Sequence, residues 1–387
     1  MKQRVRLFVT AAATLLMLCA CSASIGAEAT PGHSSDPVQT EKARVRLETV
    51  VSGLDHPWGV AFFPDGRALI TERPGRLRML GKDGRLGNPI TGIPPLYTAG
   101  QGGLLDVVID PDFARNQTVF FSFAEPRGDD MNATAVGRGR LDGDALEDVR
   151  VIFHQQPAMK STYHFGSRLV FARDGTLFVT MGDRNVGRDK VQDLGTDIGK
   201  IVRIDRDGKP PADNPFLNKA GARPELWSVG HRNVQGAALD PATGELWTNE
   251  HGPKGGDELN RTFGGRNYGW PVVTFGLEYS GAKITDRTAA PGMESPVHYW
   301  VPSIGPSGLL FYTGSGIPEW RGDVFVGALA AKQLVRLEMS GDRVVHEERL
   351  FSDLGERIRD VEQGPDGALY ILTDEDAGSL LRVVPAK

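Results

Sequence analysis

A chain of 387 residues with a net charge of −5 has no basic surplus, which argues against a nucleic-acid surface. Its two cysteines, Cys19 and Cys21, both lie in the leader described next. The mature domain that follows therefore has no disulfide, thiolate nucleophile, zinc ribbon or iron–sulfur cluster.

Lys2, Arg4 and Arg6 precede an apolar run over 7–18, the pattern of an export signal and too short for a comfortable membrane span. Leu18-Cys19-Ala20-Cys21 has the form of a bacterial lipobox. That reading makes 1–21 the leader and Cys21 a lipid-anchored residue in the cell envelope. Cleavage after Ala27 or Ala29 is the alternative, and gives a soluble periplasmic or secreted protein. Residues 22–44, rich in Ser, Ala, Pro, Thr and charge, read as a flexible tether. About 340 residues follow, over 45–387, enough for one large core.

That domain repeats a short apolar strand, a turn rich in Pro, Asp or Gly, and a second apolar strand. The pairs are 60–63 with 68–71, 107–109 with 119–121, and 169–171 with 177–180. Then come 237–239 with 246–248, 308–312 with 324–326, and 361–363 with 369–371. Turn formers between β-rich runs mark hairpins. Six related hairpins point to radial repetition, an all-β fold of six propeller blades. A β-sandwich explains the strands but not the count. Helical periodicity is weak, with a turn or two expected over 193–201. In a propeller the ligand sits at one mouth of the central channel, so residues just after the inner strands or in long loops are expected to face it.

The chemistry-bearing residues fall near these hairpins. His164 precedes the third hairpin and Asp183 follows it. Strand pairing brings such positions together, and a carboxylate beside an imidazole fixes its tautomer and raises its basicity. A lone histidine is more often structural, and the partner is what weakens that reading. Arg232 and Asn233 precede the fourth hairpin, and Glu250-His251-Gly252-Pro253-Lys254-Gly255-Gly256-Asp257-Glu258 follows it. Arg offers a fixed fork of donors to carbonyl or carboxylate oxygens. The Gly252 and Pro253 carbonyls suit a hard cation such as Ca²⁺, although 251–257 taken alone reads rather as a solvated tight turn. Lys332, Arg357 and Arg359 follow strands of the last two blades. The alternation in Arg357-Ile358-Arg359 puts two guanidiniums on one strand face, where an anion between them would relieve their repulsion. Phosphate-loop, His-Glu-x-x-His, Gly-x-Ser-x-Gly and dinucleotide-binding patterns are absent from the sequence.

Together these segments resemble the soluble aldose sugar dehydrogenases that use pyrroloquinoline quinone (PQQ), relatives of soluble glucose dehydrogenase. The likeness covers most of 45–384. It rests on Leu54-Asp55-His56-Pro57-Trp58-Gly59, Gly100-Gln101-Gly102-Gly103, Tyr163-His164-Phe165-Gly166 and Gly182-Asp183. It continues through Gly230-His231-Arg232-Asn233, the segment starting at Glu250, Asn267-Tyr268-Gly269-Trp270-Pro271, Pro306-Ser307-Gly308, Lys332 and Arg357-Ile358-Arg359.

The resemblance implies oxidation of an aldose at C1 to the lactone, with electrons passed to an external quinone, cytochrome or dye. It implies His164 as general base, Asp183 as its orienting partner and Arg232 on the quinone oxygen. Gln101, Asn233, Lys332, Arg357 and Arg359 become cofactor contacts. Gly252 and Pro253 become carbonyl ligands of a catalytic Ca²⁺, and Glu258 and Tyr268 ligands of a second, structural Ca²⁺. Val234 stands where the family commonly has Pro, and His251 where soluble glucose dehydrogenase has Gln. The chain is shorter than the glucose enzymes, which implies a more open mouth and broad aldose use. A monomer is the default. The rival readings are a calcium-dependent propeller lactonase or esterase, which would hold its metal with side-chain carboxylates, and a non-catalytic envelope binding module.

Overall fold

The computed structural model describes residues 34–387. The leader, with its lipidation and cleavage alternatives, lies outside the described residues. No helix among the described residues is long and apolar enough to cross a membrane.

The six predicted hairpins are the two inner strands of six blades, and the fold is a six-bladed β-propeller. The inner strands are Pro57–Phe62, Leu104–Ile109, Leu169–Phe171, Val234–Leu239, Pro306–Phe311 and Ile358–Gln363. Each pairs outward with antiparallel neighbours to complete its sheet. Asp193 to Gly199 run as turns rather than helix, and strand Lys200–Ile204 follows. The only α-helix among the described residues is the single turn Phe113–Asn116.

Apolar cores lie between blades. Strand side chains alternate between the two faces of a sheet, and here both faces meet a neighbouring blade. Phe120 therefore packs with Leu169, Leu177 and Val202 of blade 3. Its neighbour Phe121 packs with Leu69 and Leu77 of blade 1. Burial on both faces is why the inner hairpins read as unbroken apolar runs rather than as alternation. Each such aromatic ring, removed from water, contributes about 1.5–3 kcal/mol.

The ring closes in the sixth blade. Strand Gly378–Pro385 pairs with Arg44–Leu54, from Val45 opposite Pro385 to Leu54 opposite Gly378. Strand Val38–Gln39 adds to the outer edge. The described part of the expected tether is thus built into the fold. Thr40 is buried, and Glu41 joins Asp323 and Glu348 around the fully buried Arg336. An unpaired buried guanidinium is costly, and that cost ties the segment to blade 5.

In five blades the register slips at the start of the inner strand, a β-bulge at the same end of the channel. A bulge leaves one residue unpaired and re-aims its side chain. Pro57 pairs with Glu72 and Gly59 with Thr71, which leaves Trp58 as the extra residue. By the same count Gln235 is extra in blade 4 and Arg359 in blade 6.

Candidate active site

Those three bulged residues line a cavity of about 330 Å³ at one mouth of the channel. The size suits a small-molecule ligand. Its walls come from positions just before the inner strands, such as Gln101 and Gly305, and just after the second strands, such as His251, Leu329 and Asp374. The chain thus presents its chemistry where it enters the inner strands, not where it leaves them. The turns that leave them lie at the opposite end of each antiparallel hairpin.

His164 and Asp183 meet beside this cavity, with His164 Nδ1 2.6 Å from Asp183 Oδ1. Two more donors hold the carboxylate: the Asn185 N–H to Oδ1 at 2.7 Å and the Trp270 indole N–H to Oδ2 at 2.9 Å. The His164 N–H donates to Gln101 Oε1 at 2.8 Å. Main-chain pairing between Gly182 and Asn233 locks the Asp183 loop to the Arg232 loop of the next blade. Gly182 is obligatory there, because a Cβ would stand 2.1 Å from the His164 carbonyl oxygen. Burial, aided by the charge of Arg232, holds the imidazole pKa below its usual value despite Asp183. Burial raises the Asp183 pKa, but the His164 hydrogen bond and nearby charges leave it net lowered. The pair at neutral pH is a carboxylate holding a neutral imidazole by Nδ1–H. Nε2 has no hydrogen-bond partner among the described residues.

Arg232 is buried and fixed at both ends. Its N–H donates to Glu250 Oε2 at 2.6 Å, and Nη1 donates to the carbonyls of His251 at 3.0 Å and Gly252 at 2.8 Å. Asn233 Oδ1 accepts from Gly166 N–H and Gln235 Nε2. His251 donates Nε2–H to the Pro306 carbonyl at 2.8 Å. Burial, then Arg232 and Arg359, push the His251 pKa down to about 3, so this imidazole is neutral and serves as a wall.

Arg73, Arg357 and Arg359 give the cavity its cationic side. Arg359 and Arg168 each lie over the Trp58 ring, 4.4 Å from its centroid. Arg168 is neutralised from below by Asp106 and Asp360. Arg359 donates Nη2–H to Gln235 Oε1 at 2.9 Å, and its buried Nε has no partner. Burial and then Arg168 depress its proton affinity. An anion in the cavity would supply the counter-charge that Arg359 lacks. Arg357 is about 41% exposed and pairs with Asp374 at 3.3 Å.

Strand alternation does not place these two arginines together. Arg357 precedes the strand, and Arg359 is turned inward by the bulge. Lys332 is not part of the cavity wall in this structure. It stands at an exposed turn with φ +52°, and its Nζ donates to the Gly355 carbonyl at 2.7 Å.

The two expected Ca²⁺ positions differ. The Gly252 carbonyl already receives Arg232, and Asp257, the nearby acid in the wall, has its oxygens taken by Gly252 N, Ser303 Oγ, Ile304 N and Gly305 N. Gly252 and Pro253 thus offer neutral oxygens without a free carboxylate, a set that suits a cation only together with an anionic ligand. The Glu258 position is different. A separate cavity of about 10 Å³, room for one small occupant, is lined by Glu250, Glu258 and Tyr268. Burial and the neighbouring Glu250 push the Glu258 carboxyl up to about 8, the mark of an acid lacking a counter-charge. The Tyr268 hydroxyl donates to the Arg261 carbonyl and accepts from Phe263 N–H. With its hydroxyl so engaged, that residue would serve a cation best through its main-chain carbonyl. Among the described residues no three His, Cys, Asp or Glu side chains cluster as a metal site.

Sequence reasoning gave no role to Trp58, Arg73, Gln235 or Trp270. Trp58 and Trp270 stood inside the quoted motifs, and a buried indole N–H in search of an acceptor was a usable signal. Gln235 and Arg73 carried none.

Fold and mouth together define a six-bladed propeller with a cationic small-molecule cavity and an imidazole–carboxylate pair at its edge. The glucose/sorbosone dehydrogenase family model matches residues 54–382, and the chain belongs to that family. It is 46% identical over 348 residues to the aldose sugar dehydrogenase YliI of Escherichia coli, spanning 89% of this chain and 94% of that one. It is 28% identical over 331 residues to quinoprotein glucose dehydrogenase B of Acinetobacter calcoaceticus, spanning 76% and 66%. Among solved structures, the apo-form of the soluble E. coli aldose sugar dehydrogenase superposes with a TM-score of 0.86 at 45% identity, covering 88% and 100% of the two chains. The PQQ-bound form of the Streptomyces coelicolor aldose sugar dehydrogenase gives 0.72 at 27% identity, covering 91% and 99%.

Proposed function

We propose that this protein is a PQQ- and Ca²⁺-dependent aldose sugar dehydrogenase of the cell envelope that oxidises C1 of an aldose to the lactone. The observation that carries this reading is the neutral, Asp183-held His164 beside a cavity whose buried Arg359 has an unpaired Nε. The solved PQQ-bound relative supports the choice of cofactor. An external quinone, cytochrome or dye then takes the electrons.

Arg73, Arg357 and Arg359 would hold the cofactor's carboxylates, and Trp58, Gln101 and Asn233 would shape its bed. Lys332 joins them only by giving up the Gly355 carbonyl. When bound, PQQ supplies the two-electron acceptor that takes the hydride from C1. His164 Nε2 takes the proton of the anomeric hydroxyl as the C1=O bond of the lactone forms. Asp183 keeps Nδ1–H in place and stabilises the imidazolium, and Trp270 and Asn185 keep Asp183 from turning. Arg232, held beside the cavity by the His251 and Gly252 carbonyls, would stabilise negative charge developing on a cofactor oxygen. Gly252 and Pro253 would hold a Ca²⁺ jointly with the cofactor, and Glu258 a separate structural ion.

Titration of the cofactor-free protein with PQQ and Ca²⁺, followed by dye reduction with aldoses, tests the whole reading. Saturable activity at one PQQ per chain is expected, with one Ca²⁺ bound in the absence of PQQ and a second only in its presence. Sugar-lactone hydrolysis with Ca²⁺ alone would replace the dehydrogenase with a hydrolase. Failure to bind PQQ at all would leave a binding module.

Glu258→Gln tests the structural ion. Removing a buried, uncompensated acid is expected to raise the melting temperature of the metal-free protein by about 2–4 °C. It should also erase the further rise that Ca²⁺ gives the wild type. An unchanged response to Ca²⁺ would remove Glu258 from the metal site.

A further inference from the structure

We propose that Tyr279 forms a sugar-ring subsite at the rim of the mouth and selects oligosaccharides that present a reducing end to His164. The inference rests on the dehydrogenase reading above and adds a specificity residue to it.

Tyr279 lines the cavity yet is 70% exposed. Its ring stacks on no other aromatic ring and its hydroxyl has no hydrogen-bond partner among the described residues. Of the large apolar side chains left exposed among the described residues, Tyr279 is one that also lines this cavity, so its face is open to whatever enters there. Its carrier is also fixed in place. Leu277 and Lys254 exchange main-chain hydrogen bonds at 3.0 and 3.2 Å, which ties the hairpin to the Gly252–Pro253 loop. The hairpin is closed by Glu278 N–H on the Ala282 carbonyl at 2.9 Å and Gly281 N–H on the Glu278 carbonyl at 2.8 Å. Arg188, from the loop that follows Asp183, clamps the Glu278 carboxylate with two contacts of 2.5 and 3.3 Å. The tip is thus held by the loops on both sides of the proposed reaction centre.

A pyranose has a face of C–H groups that stacks on an aromatic ring, while its hydroxyls stay in water. The sugar that reacts must place C1 at His164, beside the cavity. A ring linked to it leaves the cavity past the rim, where Tyr279 stands. Tyr163, about 50% exposed and adjacent to His164 in the chain, offers a second aromatic surface nearer the reacting ring.

The test compares the PQQ- and Ca²⁺-loaded wild type with Tyr279→Ala and Tyr279→Phe on glucose, maltose and maltotriose. Tyr279→Ala is expected to lower kcat/KM for maltose and maltotriose about tenfold, chiefly through KM, with glucose nearly unchanged. Tyr279→Phe keeps the ring and should keep the preference. Saturation-transfer NMR with maltotriitol, which has no C1 hemiacetal to oxidise, reads the contact without turnover. Transfer to its rings is expected in the wild type and lost in Tyr279→Ala. Equal losses on glucose and maltotriose, or undiminished transfer in Tyr279→Ala, would overturn the proposal. Absence of aldose turnover in the wild type would strike the dehydrogenase reading instead, while the maltotriitol contact still decides the role of Tyr279.

Discussion

His164→Ala is expected to lower kcat by about a thousandfold, the scale of a lost general base, while the affinity for PQQ stays nearly unchanged. The geometry sets this split. Nδ1 is committed to Asp183 at 2.6 Å, and the side chain belongs to the edge of the cavity rather than to its cationic wall. His164→Asn, which keeps a donor for Asp183, should lose as much turnover and less thermal stability. The base works only when unprotonated, and burial holds its pKa below the usual value. The wild-type kcat/KM should therefore be flat through neutral pH and fall on the acid side, with an apparent pKa under that of free histidine. Asp183 raises that pKa, so Asp183→Asn should move the acid limb to still lower pH as kcat drops. If His164→Ala retains most of its activity, the base lies elsewhere.

Arg359→Met should show the opposite pattern. The guanidinium is buried against Trp58 in the cavity wall, held by one hydrogen bond to Gln235, and its Nε has no partner. A charge-assisted pair with a carboxylate is worth about 1.5–3 kcal/mol, so the Kd for PQQ is expected to rise roughly 100-fold. At saturating PQQ, kcat should recover to near the wild-type value. Met fills similar volume and removes a buried cation that lies close to Arg168, so the cofactor-free protein should melt no lower than the wild type. Fluorescence titration with PQQ and a thermal melt check the two halves. Unchanged PQQ affinity would mean that Arg359 serves only to pack Trp58. The same titration on Lys332→Ala asks whether a side chain now spent on the Gly355 carbonyl turns inward.

Residue order alone specifies the blade count. Turn chemistry and apolar runs are local properties, and each inner hairpin is one short piece of chain. It also determined that His164 with Asp183, and Arg232 with the segment after Glu250, would meet. A hairpin brings together the residue before its first strand and the residue after its second.

Other features depend on strands far apart in the chain. Register slips make Trp58, Gln235 and Arg359 the unpaired residues that turn into the channel. A bulge is a mismatch between two strands and leaves no periodic trace in either. Ring closure through Arg44–Leu54 joins the two ends of the chain, so composition alone could make 34–44 look like tether. The direction of Lys332, the engagement of the Tyr268 hydroxyl and the placing of Tyr279 in the cavity wall were likewise decided by contacts between loops. Residue type set what each side chain could do, and only the packing of one blade against the next settled which group it faced.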